Sequence, residues 1–302
     1  MTELNKENVC IGESSVAVFS QAYCETDIIV PDVNPDIAKI LQVSTNAGIV
    51  NKNTFLWVDS KVSSQGVTND GEYFYFSGNE HMGKADMETG EISLICVNAI
   101  PEALQEKGCN HIGGLSYYNG MIYAAVEDGP DYNNSFIVLY DAETLKFTGT
   151  YYELPHDLHL EGVPWCAVDA ERNYLYTAEW REEPEDPDAI ELPSVLNVFN
   201  LDDMSLVKVI PLTAPLYRVQ GAEMFGNKLY MSCDENNDQK RIISVDVRTG
   251  FVKTEFSRNI GTGFEAEDVT VYADEDGEPV FCVLDRGERR ESTNLTFYKL
   301  TD

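Results

Sequence analysis

Apolar and polar residues alternate along most of this chain in short runs, and the runs repeat. In "HIGGLSYYNGMIYAAVED" (111–128) a small-residue pair sits ahead of an alternating run. Asn119-Gly120 follows, and a second run ends in acids. Asn-Gly between two such runs predicts a hairpin, because a type I′ turn needs positive φ at both central residues. The same unit recurs as "SQGVTNDGEYFYFSGN" from Ser64, "EGVPWCAVDAERNYLYTAEW" from Glu161, "VQGAEMFGNKLYMSCDE" from Val219 and "EAEDVTVYADEDGEPVFCVLD" from Glu265. Superposing the second strands puts Tyr75, Tyr123, Tyr176, Tyr230 and Phe281 in one column. The entrances to the first strands then align as Gln65-Gly66, Gly113-Gly114, Glu161-Gly162, Gln220-Gly221 and Glu267-Asp268.

A second element follows the first four copies: "GKADMETGEI", "VLYDAETLKF", "NVFNLDDMSLV" and "ISVDVRTGFV". Each is a strand ending in Asp or Asn, a short turn, and a new strand; the acid or amide caps the turn by bonding its own backbone. Four short strands per unit, repeating about every 50 residues, describe a β-propeller blade. The fifth copy stops after a third strand at "NLTFYKLTD", and the alternating run "NTFLWVDSKV" (53–62) is the expected donor of its outer strand. Closure by strands from both ends of the chain removes open edges. The predicted fold is therefore all-β: a five-bladed β-propeller over 54–302, closed by an N-terminal strand and preceded by a short segment, 1–53. A β-sandwich is the rival architecture, but it leaves the doubly repeated period unexplained.

The inner strand of a blade lines the axis, where neighbouring backbones converge, so small residues are expected there on packing grounds. Gly113-Gly114 then marks a place where a side chain is missing from the axis. The proline- and acid-rich stretch 179–193 predicts a strandless loop between the second and third strands of blade three.

Composition adds limits. Hydrophobic residues make up 43% of 302 residues, enough for a real core. No apolar run is long enough for a membrane span, and the start has no signal-like apolar region. Seven widely spaced cysteines with no C-x-x-C pair read as reduced, core-filling thiols of a cytoplasmic protein. The formal net charge of −31 argues against nucleic acid as a partner and favours cations near any open cleft.

The aligned entrances would bring Gln65, His111, Glu161, Gln220, Glu265 and Glu267 to one mouth of the channel, with Glu223 and Asp268 close behind. Converging carboxylates and amides are what a hard cation such as Ca²⁺ requires, with Glu161, Glu267 and Asp268 as candidate ligands. Equally, the acids read as walls of a water-filled channel that binds nothing specific. Without a cation they would raise one another's pKa values. For catalysis, Glu161, His111 and His159 are candidates, an imidazole serving as general base beside a glutamate. His111 also reads as a plain rim residue. No standard hydrolase, zinc-protease or nucleotide-binding motif is present in the sequence.

Two local resemblances bear on this. "EGVPWCAVDAERNYLYTAEW" is similar to the metal-binding glutamate motif of SMP-30/gluconolactonase propellers, which implies Glu161 as a metal ligand. "SQGVTNDGEYFYFSGN" is similar to the opening of five-bladed glutaminyl cyclotransferases. In the leader, "CETDIIVPDVNPDIAKILQVSTNAGIV" reads as an apolar strand, turns and a short amphipathic helix near 35–42. Its Asp27, Ile28, Ile29, Val30, Pro31, Asp32, Pro35, Asp36, Ile37 and Ile40-Leu41 resemble the core of the SPOCS domain of sporulation-associated proteins. That resemblance implies docking onto a protein partner or a larger spore-related assembly; packing against the propeller is the other reading. The functional expectation is a binding or scaffold protein with an acidic central channel, localised by its leader. The alternative is a metal-assisted propeller enzyme of lactonase, hydrolase or cyclotransferase type.

Overall fold

The computed structural model describes residues 46–56, 61–186, 193–235, 239–261, 263–287 and 292–301. Among the described residues, twenty strands form five four-stranded antiparallel sheets, arranged as blades in a ring. Strand β1 (Asn46–Leu56) comes first in the chain and belongs to the last blade. Blade one holds β2 (Val67–Asn69), β3 (Tyr73–Ser77), β4 (Met82–Asp86) and β5 (Ile92–Cys96). Blade two holds β6 (His111–Tyr118), β7 (Met121–Glu127), β8 (Ser135–Asp141) and β9 (Phe147–Glu153). Blade three holds β10 (Cys166–Asp169), β11 (Tyr174–Thr177), β12 (Val195–Asn200) and β13 (Leu206–Pro211). Blade four holds β14 (Val219–Phe225), β15 (Lys228–Cys233), β16 (Gln239–Asp246) and β17 (Phe251–Asn259). Blade five holds β18 (Glu265–Ala273), β19 (Pro279–Arg286) and β20 (Ser292–Thr301), with β1 as its outer strand.

The closing strand does come from the N-terminal side, but it is 46–56 rather than 53–62. It pairs with β20 from Asn46↔Thr301 to Leu56↔Ser292, with a bulge at Val50. Both ends of the described chain are thereby hydrogen-bonded into one sheet. The strand and helix expected within residues 1–45 lie outside the described residues.

Local chemistry accounts for the turns. Asn119 and Gly120 both have positive φ, as the hairpin requires. At the outer turns, Asp86 Oδ1 accepts from the Thr89 N–H (2.8 Å) and hydroxyl (3.1 Å), and Asp141 Oδ1 does the same with Thr144 (2.9 and 2.7 Å). Four residues after Asp86, Asp141, Asn200 and Asp246 stand Gly90, Leu145, Met204 and Gly250, all with positive φ. The repeat thus preserves a left-handed position even where the residue is not glycine.

The aromatic column is the core. Tyr75, Tyr123, Tyr176, Tyr230 and Phe281 are all buried. Apolar clusters fill the gaps between neighbouring blades: Trp165 and Leu196 of blade three against Leu229 and Ile243 of blade four, and Phe74 of blade one against Leu284 and Leu295 of blade five. Each fully buried large side chain contributes about 2 kcal/mol of transfer free energy, so the ring is held by its inter-blade faces. Cys109, Cys166, Cys233 and Cys282 are free and buried, as core-filling thiols are. The stretch 178–186 carries no strand, in keeping with the expected loop.

Candidate functional site: the axis and one face of the ring

Inner strands begin and second strands end on the same face of the ring. The pairs His111↔Glu127, Cys166↔Thr177, Val219↔Cys233 and Glu265↔Arg286 mark it. Just inside that face, three inner strands are irregular. The pairing of β6 skips Gly113-Gly114, that of β14 skips Gln220, and that of β18 skips Glu267-Asp268. Such bulges re-aim side chains.

Asp268 is aimed across the axis and is completely buried. Its Oδ2 accepts the N–H of Val67 in blade one (3.0 Å) and of Leu115 in blade two (3.3 Å), while Oδ1 accepts that of Val269 (2.7 Å). The glycines make room for it. A Cβ on Gly221 would lie 1.6 Å from Asp268 Oδ1, and one on Gly114 would lie 3.2 Å from Oδ2. A Cβ on Gly66 would meet the Gly113 carbonyl at 2.5 Å. The expected missing side chain at Gly113-Gly114 is therefore real, and the vacated space is filled by Asp268 from blade five and by the close approach of Pro164 and Trp165.

One layer further in, Glu223 Oε2 accepts the hydroxyls of Thr68 (2.9 Å) and Thr270 (3.1 Å), so it joins blade four to blades one and five. Burial pushes Glu223 up to about 7, against the pull of those hydroxyls. Burial likewise raises Asp268, its backbone donors opposing and the Glu223 charge adding to the rise. For Glu223 and Asp268, loss of water outweighs mutual repulsion as the cause of the rise.

On the face itself, His111 bridges two blades. Its Nδ1 is 3.1 Å from Glu127 Oε1 and its Nε2 is 2.8 Å from Gln65 Oε1. Glu127 is fixed in turn by the Val163 N–H (2.6 Å to Oε2). The imidazole keeps a quarter of its surface exposed. Across the ring, Asp234 accepts the Ala266 N–H (2.9 Å), Arg218 Nη2 (2.8 Å) and Lys240 Nζ (2.9 Å), and Arg218 also clasps Glu182 (2.9 and 3.0 Å). Arg258 holds both oxygens of buried Asp285 (2.7 and 2.8 Å). Arg286 Nη1 lies 3.4 Å from Glu265 and 3.5 Å from Glu267.

The expected residues are thus only partly assembled. Gln65 and His111 meet; Glu265 and Glu267 meet through Arg286; Glu223 and Asp268 are spent on the axis. Gln220 is the half-buried bulge residue of β14. Glu161 is exposed and precedes the strand, because the residue opposite Tyr176 is Ala167, and counting back the same distance reaches Pro164-Trp165 rather than Glu161-Gly162. His159 is enclosed in the core, with Nδ1 at 3.0 Å from the Pro155 carbonyl and Nε2 at 2.8 Å from the Thr177 hydroxyl. Burial holds it down to about 4, hence neutral.

Of the three expected cation ligands, Glu161 is exposed ahead of its strand and Glu267 lies 3.5 Å from Arg286. Asp268 presents its oxygens to backbone donors, and no group of three or more His, Cys, Asp or Glu among the described residues has metal-holding geometry. The residues missed in the sequence are Glu127, Asp234, Asp285 and Arg286, all at or just beyond second-strand ends. Their signal is the "VED", "CDE" and "LDR" endings of the second, fourth and fifth copies. No protein-family model matches the chain, and no curated protein matches it, so the three local resemblances gain no support there. No helix among the described residues is long and apolar enough to cross a membrane.

Proposed function

We propose that this propeller is a binding module that takes a small polar ligand on the face where inner strands begin, while the leader ahead of β1, residues 1–45, localises it by docking onto a protein partner or larger assembly. The observation that carries the reading is His111: an imidazole oriented from behind by Glu127, anchored across a blade boundary to Gln65, and still a quarter exposed. Polar groups preorganised on a rigid sheet and left open to solvent favour recognition, since little is lost in ordering them on binding. The acids at the axis are engaged in holding blades together, which argues for a scaffold around that face.

Hydrogen exchange of the full-length protein against a library of polar metabolites tests the ligand. Protection is expected at the amides around Gln65, His111 and Val163, and is expected to weaken in His111→Ala. Changes confined to the outer strands would overturn the reading. For the leader, residues 1–45 fused to a fluorescent reporter in a spore-forming host are expected to concentrate at one structure; diffuse signal removes the docking role.

One observation favours an enzyme as the second reading. A carboxylate behind an imidazole is the arrangement of a general base. Turnover of a candidate lactone or ester that collapses in both His111→Gln and Glu127→Gln would select it.

A further inference from the structure

We infer that Glu267 and Arg286, between blades four and five, form a binding site for a small zwitterion, with free α-amino acids as the ligand class. The inference rests on the binding reading above and places a second set of contacts on the same face.

The Glu267 side chain is 2% exposed, yet among the described residues its Oε1 accepts no hydrogen bond. The neighbouring buried carboxylates are saturated: Asp234 by three donors, Asp285 by Arg258 on both oxygens, Asp268 by three backbone N–H groups. An unmet buried acceptor is costly and calls for a missing partner. Arg286 is under-used in the same place. Its contacts among the described residues are one nitrogen 3.4 Å from Glu265 Oε2 and 3.5 Å from Glu267 Oε1. Among the described residues, the rest of this fork, which suits planar, bidentate acceptors, meets none. Side-chain exposure falls from Glu265 at 38% through Arg286 at 11% to Glu267 at 2%, so the pair lies directly beneath the partly exposed Glu265.

An oxygen short of a donor and a guanidinium short of acceptors, 3.5 Å apart, match a ligand with an ammonium next to a carboxylate. A simple anion would leave Glu267 unmet and approach Glu265 in a protein of net charge −31. A simple cation would leave Arg286 unmet and be repelled by it. A lone water can satisfy the carboxylate but not the fork. Burial, with Glu265 adding to it and Asp234 further off, pushes Glu267 well above the ordinary carboxylate range, while Arg286 pulls the other way. An arriving ammonium favours the charged carboxylate, so its binding is expected to draw Glu267 toward the ionised form and to show in buffer-dependent heat.

The test is calorimetric titration of the full-length protein with each proteinogenic L-amino acid, in two buffers of different ionisation enthalpy. At least one is expected to saturate with Kd below about 1 mM, with heat that depends on the buffer. Its N-acetyl and carboxamide derivatives are expected to bind at least about tenfold more weakly, a comparison that needs no variant. Glu267→Gln is expected to lose both the affinity and the buffer-dependent heat, and Arg286→Lys the affinity. The inference is overturned if no amino acid saturates by about 10 mM, if both derivatives bind like the parent, or if both variants bind like the unmodified chain. Ligand-induced protection around His111 by some other metabolite, with no amino acid bound, overturns this site and leaves the wider binding reading standing.

Discussion

Asp268 and Asp234 are both buried aspartates near the same face of the ring, held by different means. Asp268 takes backbone N–H groups alone, whereas Asp234 takes one backbone N–H, an arginine and a lysine. The difference is one of space. At the axis, inner strands approach so closely that glycine is required at Gly66, Gly114 and Gly221, and no long cation fits. Short, neutral donors already fixed by the strands do the work. Between blades four and five, Arg218, Lys240, Arg258 and Arg286 all reach carboxylates, in a chain with only 21 Lys and Arg against 52 acids. The axis is an uncharged-donor plug; the rim is an ion-pair network.

The largest effects are expected where either region loses a buried partner. Asp268→Ala strands three backbone N–H groups, and a loss of about 3–5 kcal/mol in denaturant unfolding is expected. Arg258→Ala leaves Asp285 buried and unpaired, with a similar expected loss of about 3–5 kcal/mol. The two regions separate in the rescue: the double variant Arg258→Met/Asp285→Leu is expected to recover most of that stability. A rescue that fails would show that the rim pair acts as more than a paired charge. Gly221→Ala comes next. Its Cβ would lie 1.6 Å from Asp268 Oδ1, so the plug must shift, at an expected cost of about 1–3 kcal/mol read in melting curves.

Glu223→Gln probes the axis by pH. The folded carboxyl titrates at about 7, above its ordinary 4.5, so the folded state holds the proton more tightly than the unfolded one. Its share of stability is complete below about pH 4.5 and is lost as pH rises to about 7, by an amount on the order of 3 kcal/mol. Glu223→Gln is expected to flatten that part of the stability–pH profile; an unchanged slope would assign the proton elsewhere. The smallest effect belongs to the exposed end of the rim. Glu182 is 56% exposed in its pair with Arg218, so Glu182→Ala is expected to cost less than about 1 kcal/mol, vanishing in molar salt. The cost of Asp268→Ala should survive the same salt.

Much of the architecture was readable in advance, for reasons that particular residues show. The aromatic column from Tyr75 to Phe281 announced both the blade count and the inter-blade core, because a repeated period must bury the same face each time. Asn119-Gly120 and the Asp86 and Asp141 turns were legible because their chemistry is local. Alternation points to the N-terminal side as the source of the closing strand but not to its bounds, since it does not say where pairing with β20 begins. Glu161 lies off the axis for a related reason: the third copy carries extra residues ahead of its strand, which a one-dimensional alignment does not separate from the entrance.

Sequence alone determined the five-fold repeat, the closure of the ring, and the need for small residues at its centre, all of which follow from periodicity and backbone geometry. Only the tertiary structure decided which carboxylates meet which donors. Asp268 and Val67 are 201 positions apart, and Glu223 and Thr68 are 155 apart. Whether a buried acid is a plug, an ion-pair partner or an unmet acceptor depends on what the neighbouring blade presents to it, and no local pattern contains that information.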